Sequence, residues 1–146
     1  MNWDVRTIDY RRGDLPIRIL RFMPYFGGQV EASRQIETMI LKSVNSYNPD
    51  LILTVKGELL NGHLLKKIKD KNNKLINWFP DPMNHLELIK KIAPYYDFFL
   101  HFDPLVVKKL KKIGYKNVYY LPFASEVENP SLKKKTFDIS FVGTYS

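Results

Sequence analysis

The chain has 146 residues, 45% hydrophobic and 26% charged, which fits one globular domain with an ordinary core and excludes a disordered polymer. It has no cysteine, so disulfides, thiolate metal sites and a cysteine nucleophile are excluded. The net charge of +8 is concentrated in residues 51–122, which carry 13 basic and 6 acidic side chains.

A basic middle could face nucleic acid, an anionic membrane surface or a phosphorylated ligand. Lysines on solvated helix faces are the plainer reading. No apolar run reaches the ~20 residues that span a bilayer. Met1 to Arg6 is not followed by an apolar core of the signal-peptide kind. A cytoplasmic protein is the expectation.

Val5 to Ile8 reads as a short strand, and Ile17 to Phe22 as a second. After Gly27-Gly28, residues Ile36, Met39, Ile40, Val44 and Tyr47 recur at helical spacing, predicting a helix over 29–47. Asn48-Pro49-Asp50 ends it, because proline lacks a donor and restrains the residue before it. Leu51 to Val55 is a near-continuous apolar run, the pattern of a parallel strand covered on both faces. A helix follows over 60–71, a strand over 74–79, and a helix opened by Asp81-Pro82 that runs to Ile92. Asp97 to Phe102 reads as a strand, Asp103-Pro104 to Ile113 as a helix closed by Gly114, and Val118 to Leu121 as a strand. Asp suits an N-cap, Pro the first helical position and Gly the left-handed position past a helix end. Strands alternating with helices predict an α/β, Rossmann-like, mostly parallel sheet flanked by helices over residues 1–122.

Beyond Leu121 the periodicity stops. Residues 123–136 read as a linker with a solvated Lys133-Lys134-Lys135 run, and 137–146 as the first strand of a further domain.

Ligands of open α/β sheets bind beyond the carboxyl ends of the strands. The residues there include Lys56-Gly57-Glu58, Asp81, His101 and Asp103. Asp81 could act as a general base toward a hydroxyl, or simply cap the helix after it. Asp103 offers the same choice, with its cap frame complete without a function. His101 could titrate near neutrality, or be a hydrogen-bonded residue at the edge of the core. Gly57 would let a ligand approach the backbone, with Lys56 holding an anion and Glu58 a sugar hydroxyl; a turn with a local ion pair explains them equally well. His63, His85 and His101 are not spaced for a metal, so neither metal nor cofactor is expected. Trp78, Phe79, Tyr95, Tyr96, Phe98, Phe99, Tyr119 and Tyr120 could stack on sugar rings or bases, but in and beside the strands they read first as core. Lys108, Lys109, Lys111 and Lys112 make one helix amphipathic and basic, compatible with a membrane surface or with plain solvent.

Four segments carry a resemblance. Asn48 to Gly57, Trp78-Phe79-Pro80-Asp81-Pro82, Tyr96 to Asp103 with its helix and Gly114-Tyr115, and Leu121 to Ala124 followed by Phe137 to Gly143 are similar, in order and spacing, to CgeB-like glycosyltransferases. The likeness spans roughly residues 45–146, and more weakly Trp3 to Asp9. It implies the N-terminal, acceptor-side half of a GT-B fold, in which two Rossmann-like domains face each other across a cleft. Asp81 would then face the cleft, and the second domain would supply most contacts to a nucleotide-sugar donor. Gly143, Thr144 and Tyr145 would lie at that domain's first turn, near the donor diphosphate. The strand and helix with which such proteins usually begin have no counterpart here, so the resemblance implies either a fragment at both ends or a divergent short form, inactive by itself for want of the donor site. Loss of that strand would expose sheet interior. Two alternatives remain: a non-catalytic α/β ligand-binding module, and a basic nucleic-acid-binding domain suggested by charge alone.

Overall fold

The computed structural model describes residues 3–9, 28–69, 73–82 and 85–124. Helix α1 (Gly28–Tyr47) buries Ile36, Ile40 and Val44, spaced one per turn along a single stripe. It ends where Asn48 takes a left-handed φ of 47° and donates its N–H to Val44, with Pro49 barring further helix. Strand β1 (Leu51–Val55) follows, then helix α2 (Gly62–Lys69), whose first turn is capped by the Asn61 side chain on the Leu64 N–H.

Strand β2 (Lys74–Phe79), helix α3 (Leu86–Ile92) with a 3-10 turn at Ala93–Tyr95, strand β3 (Phe98–His101), helix α4 (Pro104–Lys112) and strand β4 (Val118–Tyr120) complete the described chain. The order β1-β2-β3-β4 is parallel throughout. Helix α4 starts and stops as the sequence predicts. Asp103 Oδ1 accepts from the Leu105 N–H at 2.8 Å, and Pro104 opens the helix. Gly114, at φ 104°, donates to Lys111 while Tyr115 donates to Leu110, the paired bonds of a Schellman stop.

The core lies on one face of the sheet. Leu75, Phe79, Phe99 and Val118 pack there against Leu64, Leu65, Ile89, Val106 and Leu110 of the helices. The opposite face is open among the described residues. The register sets Leu53 beside Ile76, and Val55, Trp78, Leu100 and Tyr119 in a row across four strands. Leu51, Leu53, Val55, Phe98 and Tyr119 are exposed on it.

This corrects three expectations. The Leu51–Val55 run is covered on one face only among the described residues, with Leu51, Leu53 and Val55 exposed on the other. Phe98, Tyr119 and Tyr120 are surface residues, since their strand positions fall on the open face or at the outer edge of β4. Residues 3–9 form no strand. Their anchor is a side-chain contact, Tyr47 OH donating to the Asp4 carbonyl at 2.6 Å, and Trp3 and Val5 stay exposed. The strands predicted at Ile17–Phe22 and from Phe137, and the linker beyond Ala124, lie outside the described residues.

Candidate functional site

Parallel strands place all four carboxyl ends on one rim, and the turns leaving them carry the polar residues. After β1 the chain makes a tight reversal with two successive left-handed residues, Lys56 at φ 68° and Gly57 at φ 76°. The Lys56 N–H donates to the Trp78 carbonyl and the Leu60 N–H to the Gly57 carbonyl. Gly57 is needed on two counts. Its φ disfavours a side chain, and a Cβ there would stand 3.2 Å from Asn77 Nδ2 and 3.3 Å from Tyr96 OH. Lys56 has no such excuse. A lysine in this region carries about 1–2 kcal/mol of backbone strain that glycine would not.

A buried polar network supports the turn from below. Asn77, fully enclosed in β2, donates Nδ2 to Thr54 Oγ1 at 2.6 Å and to the Lys56 carbonyl at 3.2 Å. Thr54 Oγ1 in turn lies 3.1 Å from Tyr96 OH. The sequence reading missed all three residues. A lone Asn at a core position of a predicted strand was the available signal, because a buried amide needs partners.

The Lys56 ammonium reaches across to the next strand end. Its Nζ is 2.6 Å from Asp81 Oδ2, with both side chains mostly shielded from water. The contact is a charge pair, and Oδ2 has no hydrogen-bond partner among the described residues. His85 Nε2 stands 3.9 Å from the same oxygen. His85 was passed over in the sequence as an isolated histidine; its place four residues after Asp81 was the clue.

Helix α3 begins at Leu86 with His85 in the cap position and no side-chain cap bond from it. The His85 N–H donates to the Pro82 carbonyl ahead of the helix, and residues 83–84, where an Asp81 cap bond would be made, lie outside the described residues. The Asp-Pro pair at 103–104 has the same sequence signature and does cap its helix. Capping accounts for Oδ1 of Asp103, while Oδ2 of Asp81 faces Lys56.

His101 lies under the rim and is fully buried, so it is not a surface contact for substrate. Its ring stacks between Phe79 and Phe102 at interplanar angles of 12° and 15°. Nδ1 accepts from the Asp103 N–H at 3.0 Å, which assigns the proton of the neutral ring to Nε2. Burial holds the imidazole below its ordinary range, against the opposing charges of Asp103 and Asp81. Nε2 has no hydrogen-bond partner, as do Asn77 Oδ1 and Trp78 Nε1 nearby in β2.

The rim thus brings Lys56, Gly57 and Asp81 together with His85, places His101 beneath them, and sets Asp103 at the head of α4. Glu58 sits in the turn after Gly57, half-buried. Phe123 folds back over the ends of β2 and β3, its ring centroid 5.6 Å from Trp78 and 5.0 Å from Phe102. Gly143, Thr144 and Tyr145 lie outside the described residues. Among the described residues no three His, Asp or Glu side chains are grouped to hold a metal ion. A depression of about 430 Å³ opens at the opposite pole, lined by Pro94 and Ile113 to Asn117, and it shares no residue with the rim. No family model matches the chain, and no curated protein matches it either.

Proposed function

We propose that this domain is the acceptor-side half of a glycosyltransferase, with the Lys56–Asp81 pair at its working surface. The observation that carries the reading is that pair: a strained lysine and a carboxylate held 2.6 Å apart where two parallel strands end. Backbone strain of this kind persists where the surroundings enforce it, and it clusters at functional sites. The resemblance of the segments around Lys56, Asp81 and Asp103 to CgeB-like transferases points to the same chemistry.

In this mechanism an anionic ligand group draws the Lys56 ammonium away, which frees Asp81 Oδ2. Asp81 then takes the proton of an acceptor hydroxyl or amine as that atom bonds to the sugar carbon. The bond from that carbon to the donor phosphate breaks, and the nucleotide leaves with the electron pair. The donor would be held by a second domain following Ser146.

The test is consumption of nucleotide sugars, read as nucleotide released, by the protein extended past Ser146 in its own reading frame. Acceptor-dependent release from one donor supports a transferase. Tight sugar-nucleotide or saccharide binding with no release across donors and acceptors supports a ligand-binding module instead.

A further inference from the structure

We propose that the solvent face of helix α4 forms a docking surface for anionic phospholipid bilayers. Between Pro104 and Ala124 the chain carries five lysines and no acidic residue. Lys108, Lys109 and Lys112 share the solvent face of α4, opposite the buried Val106 and Leu110. Two large apolar side chains interrupt that basic face. Leu105 is 61% exposed and Ile113 is 55% exposed, about 12 Å apart along the helix by its 1.5 Å rise.

Helix-end electrostatics explains Lys109, Lys111 and Lys112 in the last turn, but not the two apolar residues. Protection of an edge strand does not explain the lysines either, because they project from the helix, whereas β4 itself offers Tyr119 and Tyr120, both exposed and uncharged. Lys111 Nζ lies 5.5 Å from the ring centroid of Tyr119, which faces the open side of the sheet, so this pair stands apart from the solvent face of α4. Lysines around exposed Leu and Ile are what an interfacial helix needs: cations for lipid phosphates and aliphatic groups for the acyl boundary. A nucleic-acid backbone would use the lysines and leave Leu105 and Ile113 in water, which favours the bilayer. Among the described residues no helix is long and apolar enough to cross a membrane, so the contact is a surface one. Asp103 at the head of α4 ties this surface to the rim, although the proposal does not depend on the reaction performed there.

The experiment is sedimentation of the full chain with phosphatidylcholine vesicles, with and without phosphatidylserine, at low and high salt. Binding to the mixed vesicles alone, weakened by salt, is expected. Lys108→Gln with Lys112→Gln should weaken it roughly fivefold for each lysine removed. Leu105→Ser with Ile113→Ser leaves the charge unchanged and should weaken it by about tenfold or more. Failure to sediment with phosphatidylserine vesicles at low salt would overturn the proposal. So would vesicle binding insensitive to the Leu105 and Ile113 changes, and a preference for single-stranded RNA under the same insensitivity would assign the surface to nucleic acid.

Discussion

Lys56 Nζ meets Asp81 Oδ2 at 2.6 Å across the ends of adjacent parallel strands, 25 residues apart in sequence. The pair joins two turns that have different reasons for their shape. The first is a left-handed reversal held by Asn77 from below; the second precedes helix α3, which begins at Leu86. Both present a charged residue to the same point.

The ring of His101 makes stability depend on pH near neutrality. Burial lowers its folded-state value, so the unfolded chain takes up the proton first. Stability is therefore complete above the unfolded value of about 6.5 and declines as pH falls from there toward the folded value. Protonation would also set an Nδ1 proton against the Asp103 N–H that Nδ1 now accepts. Urea denaturation at about pH 7.5 and about pH 5.5 should show this decline, and His101→Phe should flatten it while keeping the ring stack.

Asp97 acts in a lower window. Burial pushes its carboxyl up, but the Leu75 N–H at 2.9 Å and the Lys69 ammonium at 3.3 Å outweigh it, and the carboxyl lies below its ordinary value. Its stabilisation is present above the unfolded value of about 3.9 and is lost as pH falls through the folded one. Asp97→Ala strips the Leu75 N–H of its partner and should cost about 1–3 kcal/mol at neutral pH. That gap should narrow in melts recorded below about pH 4.

The one-sided core predicts opposite fates for two leucines. Leu65 is 0% exposed and Leu53 is 56% exposed. Leu65→Ala should destabilise by about 2–5 kcal/mol, through lost burial and the cavity left behind. Leu53→Ala should change stability by about 0.5 kcal/mol or less, as at other surface positions. Equal losses in denaturant titrations would mean that the open face is covered in solution.

Much of the layout was readable in the residues. The Asp103-Pro104 start and Gly114 stop of α4 are local devices, complete within a dozen residues. The parallel sheet followed from apolar runs separated by helical spacing. What failed depended on distant partners. Leu51 to Val55 has the composition of a doubly covered strand, but coverage is decided by which helices reach it. Val5 to Ile8 has strand-like residues and no ladder to join. Asp81-Pro82 and Asp103-Pro104 look alike in sequence, yet an α-helix opens at Pro104 in one case and only at Leu86 in the other. The supports of the rim, Asn77, Thr54 and Tyr96, come from three separated segments and could not be grouped without the fold. His85 needed only the spacing to Asp81, which the helix predicted from Pro82 obscured.

The most direct measurement compares Lys56→Gly and Asp81→Asn with the parent in the protein extended past Ser146, recording acceptor-dependent nucleotide release from nucleotide sugars alongside thermal stability. Lys56→Gly relieves about 1–2 kcal/mol of backbone strain and removes one charge pair, so its melting point should stay near the parent's. The account predicts that release falls by about a hundredfold or more for Asp81→Asn, the usual scale for a lost general base, and falls clearly for Lys56→Gly despite its retained stability. Near-parental release from both variants would contradict it and reduce the pair to a surface ion pair between two turns.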